Sequence, residues 1–117
     1  MRYELHRVWV LEATLKPGQR HIYSKRTFYL DEDSWSVVAE DAYDTRGGLW
    51  RAALLGMMQC YDAVVPWYRF GMVHDLYAGS YITGGWDNEI KEPMQFNAKG
   101  KATDFGPDAL RRLGGTL

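Results

Sequence analysis

Apolar side chains fall mainly on odd positions near the start of the chain, at Tyr3, Leu5, Trp9, Leu11, Ala13 and Leu15, while Arg2, Glu4, His6, Glu12 and Thr14 take even ones. Alternation with a period of two marks a strand with one face buried. Turn-forming clusters then recur at Lys16-Pro17-Gly18-Gln19, Asp31-Glu32-Asp33-Ser34 and Asp44-Thr45-Arg46-Gly47-Gly48, where Pro, Gly, Asp and Ser supply turn dihedrals. The first fifty residues therefore read as one antiparallel β-meander. After Met58 the pattern loosens. Pro66 interrupts it, and a further hairpin is expected with strands over 67–77 and 80–86 around Ala78-Gly79. From Asp87 the chain reads as a polar extended tail. Near its end Pro107 and Asp108 suit a helix start, while Arg111, Arg112 and Gly114 suit a helix end. The expected fold class is mainly β: a curved antiparallel meander over 1–86, with a tail over 87–117 carrying a short capping helix near 107–113, all one domain.

Charge pairing suggests a register. An even-numbered first turn sets Leu5 against Leu30, Arg7 against Phe28 and Trp9 against Arg26. The second turn then brings Lys25 to Glu40 and Phe28 to Val37. The third, as a type I turn with a G1 bulge, brings Asp41 to Arg51 and Val37 to Leu55. One face then carries Leu5, Trp9, Leu11, Ile22, Phe28, Leu30, Trp35, Val37, Ala53 and Leu55. The other mixes Val8, Val10, Tyr23, Tyr29, Val38, Trp50 and Leu54 with His6, Lys25, Thr27 and Glu40. Two half-apolar faces suit a long curved sheet whose concave side encloses something; strands flanking a sandwich core would look the same.

Composition narrows the function classes. The formal net charge of −1 argues against nucleic acid as a partner, because phosphate binding leans on a clustered basic surface. The aromatic share of 15%, with five Trp and eight Tyr, suits strands, interfaces and apolar pocket walls. Cys60 is the only cysteine, so it can form neither an internal disulfide nor a cysteine-based zinc site, and it is expected as a buried structural thiol. The longest apolar run, 52–58, falls far short of the roughly 20 residues that span a bilayer. Strand-like sequence begins at Arg2 without a signal peptide, which fits either a cytoplasmic chain or, preferably, a piece of a longer exported protein.

No catalytic constellation stands out. His6, His21 and His74 lack metal-ligand spacing, with His6 expected beside Tyr29 and His21 across from Thr14. Ser24, Ser34, Ser36 and Ser80 lack a nucleophile elbow. The run Asp31-Glu32-Asp33 lacks the glycine and glutamate of a calcium loop and reads as a solvated turn. Arg46-Gly47-Gly48 and Thr83-Gly84-Gly85 match no phosphate loop and also read as turns. Neither a catalytic residue, a metal nor a cofactor is assigned. Arg7, Arg26 and Arg51 share the apolar face on this register. Ion pairing with Asp41, with stems packed on aromatics, is their ordinary account; a cationic rim for an acyl headgroup is the functional one.

The string from Arg2 to Lys16 resembles a bacterial family of unknown function, DUF1329. The likeness continues through His21-Ile22-Tyr23-Ser24-Lys25-Arg26 and Phe28-Tyr29-Leu30-Asp31-Glu32-Asp33-Ser34-Trp35, then at Tyr43-Asp44, Arg46-Gly47, Leu49-Trp50-Arg51 and from Pro107 to Gly114. The resemblance implies a periplasmic location and the C-terminal portion of a longer exported protein. It also implies a fold similar to LolA-like lipoprotein carriers, an incomplete barrel of strongly curved sheet that holds acyl chains. It carries over no catalytic residues. A strand edge left open by truncation invites pairing, so self-association is expected.

The leading expectation is a non-enzymatic module for a lipid or other hydrophobic molecule, serving an envelope transporter. Trp9, Leu11, Phe28, Trp35, Val37 and Leu55 would form its apolar face and Arg7, Arg26 and Arg51 its rim. The alternative is a structural domain that self-associates through its edge and apolar face. A third option is an enzyme whose chemistry lies elsewhere in a longer chain.

Overall fold

The computed structural model describes residues 4–86, 89, 91 and 94–115. The start of the alternation at Arg2 and Tyr3, and parts of the 87–117 tail, lie outside them. Six strands follow one another: β1 (Val8–Thr14), β2 (Lys25–Asp31), β3 (Val37–Tyr43), β4 (Leu49–Cys60), β5 (Val65–Asp75) and β6 (Ser80–Gly84). They pair antiparallel in sequence order as a single open meander. A 3-10 turn at Ala102–Phe105 and helix α1 (Pro107–Gly114) complete the described fold. Pro107 opens α1, where its missing N–H costs nothing, with Asp108 in the first turn and Arg111 and Arg112 in the last. Among the described residues α1 packs on the 3-10 turn and on none of the strands, so Leu110 and Leu113 stay exposed.

The strand pairing corrects the expected register. Trp9 faces Leu30, Leu11 faces Phe28 and Ala13 faces Arg26, a slip of four residues from the pairing that a tight turn would give. The cause is a longer connection: Leu15 N–H bonds the Ser24 carbonyl, leaving 16–23 as a loop. Lys25 faces Tyr43 and Phe28 faces Glu40, with a bulge at Tyr29/Leu30. Val37 therefore pairs with Leu30, not Phe28. Asp41 faces Ala52 and Ala42 faces Arg51, displaced by one through a bulge at Ala42/Tyr43. The expected charge pairs change accordingly. Lys25 meets Glu12 at 3.2 Å, Arg26 meets Glu40 at 2.6 Å, and Arg51 meets Asp75 at 3.1 Å.

Pro66 does not end a strand; it lies inside β5 opposite Gln59. Strand β6 pairs only with 71–75 of β5, so the outer side of β5 at Pro66 has no neighbouring strand and asks for no ladder donor. A third bulge at Gly56/Met57 adds to the local bending that the other two produce.

Three of the hairpin turns are organised by an aspartate at the end of the preceding strand. Asp31 accepts from the Ser34 N–H and hydroxyl at 2.9 and 2.6 Å. Asp44 accepts from the Arg46 and Gly48 N–H groups, both at 2.8 Å. Asp75 accepts from the Tyr77 and Ala78 N–H groups at 3.2 and 3.0 Å. Each is an Asx-type turn in which a carboxylate takes the place of a backbone acceptor. Asp31 is itself buried, unlike the solvated turn residue its sequence suggests.

The sheet is a single layer. Among the described residues only Ala42, Cys60 and Ala109 are buried apolar side chains, and no large side chain is fully buried. The radius of gyration is 17.9 Å, against roughly 13 Å for a globular chain of this length. Stable domains pack two layers around a core, and among the described residues no helix or second sheet packs on either face.

Candidate functional site: an open apolar face

Directly paired residues of antiparallel strands share a face, so the register resolves one face into rows. The first runs Ala13, Arg26, Ala42, Arg51, Asp75, Ser80. The second runs Leu11, Phe28, Glu40, Ala53, Val73, Ile82. The third runs Trp9, Leu30, Val37 on one side and Leu55, Gly71, Gly84 on the other. The face is polar in its first row and apolar beyond it, apart from Glu40, which moves here from the face expected for it. Exposure confirms that little covers the apolar part: Trp9 is 56% exposed and Ile82 72%.

The polar row is self-satisfied. Arg51 donates to the Tyr23 hydroxyl at 2.8 Å and to Asp75 at 3.1 Å, and its guanidinium lies 4.5 Å from the Trp50 ring centre. Arg26 pairs with Glu40 and lies over the Phe28 ring at 4.7 Å. Asp75 also accepts from the Trp50 indole. The Ala78 N–H, then Arg51 and Trp50, hold its carboxyl below the usual range. The Gly48 N–H, with help from the Tyr77 hydroxyl and Arg46, does the same for Asp44.

Of the residues proposed from sequence, Trp9, Leu11, Phe28, Val37 and Leu55 stand on this face, and Trp35 joins them from the β2–β3 turn. Trp35 sits at φ 56°, unusual for a bulky residue, with its ring stacked on Trp9 at 6.4 Å. Arg26 and Arg51 stand in the polar row, whereas Arg7 precedes β1 and pairs with Glu32 at 3.3 Å. Leu5, expected on the face, lies before β1 and is fully exposed.

Sequence reasoning missed a hollow in the face. An open hollow of about 380 Å3 is lined by Leu55, Tyr68, Val73 and Ile82 around Gly71 and Gly84, with Arg69, Phe70, Thr83 and Gly85 also at its surface. Tyr68 closes one side by reaching across β4, its hydroxyl donating to the Val37 carbonyl at 3.2 Å. Thr83 and Gly84 are not a turn but the end of β6. The available signal was Gly71, an isolated glycine between Phe70 and Met72, of the kind that marks a close approach or a gap in a strand.

The histidines lie elsewhere. His6 does not sit beside Tyr29; its Nδ1 is 2.9 Å from Asp31 and its Nε2 3.4 Å from Glu4. These contacts, Asp31 first, raise the His6 pKa. The Ser34 hydroxyl and N–H, and then His6, lower that of Asp31. His21 packs on Tyr23 at 5.4 Å and His74 on Tyr81 at 5.8 Å. Among the described residues His6, Asp31 and Asp33 bring one donor atom each within 4.8 Å of one another. Twenty-five residues separate the first two, which hides the group from a spacing argument. Asp31 is already engaged by Ser34 and His6, so the group serves to tie the segment before β1 to the β2–β3 turn.

The open antiparallel sheet matches solved structures of the LolA-like, lipoprotein-sorting fold. A Vibrio parahaemolyticus domain described as an outer-membrane lipoprotein-sorting protein domain superposes with a TM-score of 0.64 at 18% identity, over 90% of this chain and 42% of that one. A DUF1329 family protein from Desulfovibrio piger gives 0.63 at 17% identity, over 88% and 40%. The family model for DUF1329, a protein family of unknown function, matches residues 1–111, and the chain belongs to that family. It is 51% identical over 113 residues to an uncharacterised protein of Pseudomonas aeruginosa, covering 97% of this chain and 25% of that protein. The chain thus spans about a quarter of that relative and about two fifths of each solved neighbour.

Proposed function

We propose that this chain is part of a non-enzymatic module that holds a lipid or similar hydrophobic molecule in the bacterial periplasm, handing it to or receiving it from an envelope transporter. The observation that carries the reading is the uncovered face, apolar from Trp9 to Ile82 across the sheet. Burying such surface against an alkyl chain is worth roughly 25 cal/mol per Å2. The fold of the lipoprotein-sorting neighbour supports both the reading and the periplasmic setting. Among the described residues no helix is long and apolar enough to cross a membrane. Native mass spectrometry of the purified protein, with lipid extraction, tests it. Co-purified amphiphile is the expected result, and protein that neither carries nor takes up any amphiphile sinks the reading.

One observation favours a second reading, an interaction domain. Strand β1 is an edge with Trp9, Val10 and Leu11 all exposed, so both of its faces and its backbone invite pairing. Ligand-free dimers in the same spectra would favour it.

A further inference from the structure

We propose that the hollow floored by Gly71 and Gly84 is the chain-end subsite for one alkyl tail, which lies along β5 and β6 with its polar end at the row of Arg51, Asp75 and Ser80. This rests on the lipid-holding reading of the face and goes further by fixing where the tail ends and in which direction it lies.

The argument starts from why glycine stands at these positions. Glycine weakens a strand interior, yet Gly71 and Gly84 face each other in the β5–β6 ladder. Backbone conformation does not require them, because the positive-φ glycines are Gly18, Gly47, Gly79 and Gly85. Packing explains other glycines: a Cβ on Gly56 would fall 1.9 Å from the Phe70 ring. Gly71 has a lesser reason of this kind, since its Cβ would press the Leu55 side chain at 3.3 Å. Around Gly84 a Cβ would meet nothing within 4 Å. What Gly84 supplies is empty space above the sheet.

The shape of that space selects its occupant. Leu55, Val73 and Ile82 give it aliphatic walls, and Tyr68 closes one side. The space lies over two adjacent strands, spaced about 4.8 Å apart, and opens to solvent at the β6 edge of the sheet. From Gly71 the strand runs through Val73 to Asp75, about 13 Å at the usual rise per residue. Along that line the face passes from apolar to charged. An amphiphile laid on β5 and β6 therefore places its tail end at the glycines and its headgroup beside Arg51, Asp75 and Ser80. The polar row pairs its own charges, so tail length, more than headgroup charge, sets selectivity.

Binding of n-alkyl phosphocholines from octyl to hexadecyl, each below its micelle concentration, tests this on the full chain. Wild type is expected to gain affinity with tail length up to an optimum. Gly84→Leu fills the floor and should move the optimum to shorter tails, weakening longer ones about fourfold per methylene excluded while sparing the shortest. Should Gly84→Leu fail to fold, Gly84→Ala adds a single methyl in the same open space and should shift the optimum in the same direction by about one methylene. A wild type that binds no tail overturns the proposed function and this subsite with it. A wild type that binds, with a length profile unchanged in Gly84→Leu and Gly84→Ala, overturns the subsite alone.

Discussion

The two halves of the face are built on opposite principles. In β1–β3 it is a wall of large side chains, Trp9, Leu11, Phe28, Leu30 and Val37, with Trp35 laid over Trp9. In β4–β6 the matching rows hold Ala53, Leu55, Gly71, Val73, Ile82 and Gly84, and the surface sinks into a hollow. A wall is made by side chains and a hollow by their removal. Periodicity of apolar residues reveals the first and passes over the second.

The largest effect should come from confusing the two kinds of glycine in the second half. Gly56→Val drives a branched side chain into the Phe70 ring, which Trp86 backs by stacking at 5.3 Å. Overpacking of this sort costs about 1–3 kcal/mol, read as a lower urea midpoint. Gly84→Val meets open space and should leave the midpoint nearly unchanged. Equal losses would show that Gly84 is a packing glycine too and erase the distinction.

Next in size is the wall itself. Trp9→Ala removes a ring that is 56% exposed, so folding stability should change little. Binding of a two-tailed amphiphile, whose second tail would lie on this wall, should weaken about tenfold, on the order of 1–2 kcal/mol. Because the wall has no end-stop, the loss should be uniform among such tails, unlike the length-dependent loss in Gly84→Leu. A length-dependent loss in Trp9→Ala would move the chain-end subsite to the first half.

Smaller again is the polar row shared by both halves. Arg26→Gln breaks a pair in which the arginine side chain is 41% exposed. Solvent screening limits such pairs to about 0.2–1 kcal/mol, and a double-mutant cycle with Glu40→Gln measures the coupling. A coupling well above this range would show that the row braces the sheet as well as bounding the face.

How much of this was legible depends on parity. The meander and its first three turn sites could be read from Pro17, Gly18, Asp31, Asp44 and Gly47, because turn chemistry is local. Register could not, since the extra residues of the 16–23 loop and the three bulges leave no periodic trace. The parity of the apolar positions survives all the same. The β1–β2 slip was even, and the odd slips on either side of β3 cancelled, so Val37, Ala53 and Leu55 stayed with Trp9 and Phe28. Glu40, between the two errors, was put on the wrong face. The hollow was illegible because Gly71 and Gly84 signal only by lacking a side chain, and their pairing appears only in the fold.

The smallest expected effect concerns how each half ties down its turns as pH changes. Asp44 and Asp75 are held ionised mainly by backbone N–H groups, so their contribution is present above the ordinary carboxylate pKa of about 3.9 and fades only as pH falls through their lowered values. Asp31 behaves likewise on its acidic side. It is also bound by His6, whose pKa is raised by Asp31 first and Glu4 second, with Asp33 close by. A raised histidine contributes fully below about pH 6.5 and loses its contribution as pH rises through its folded value. The link between the segment before β1 and the β2–β3 turn is therefore strongest in mildly acidic solution, roughly between pH 4 and 6.5, and loosens above it. The turns at Asp44 and Asp75 do not loosen there. Hydrogen exchange at the Glu32 amide, which bonds the Arg7 carbonyl, reads the first; exchange at Gly48 and Ala78 reads the others. After correction for base catalysis, protection at Glu32 should fall as pH rises through the raised His6 pKa while Gly48 and Ala78 stay level. His6→Gln should flatten the Glu32 profile. A flat wild-type profile would mean that the His6 contact adds nothing to a turn Ser34 already holds.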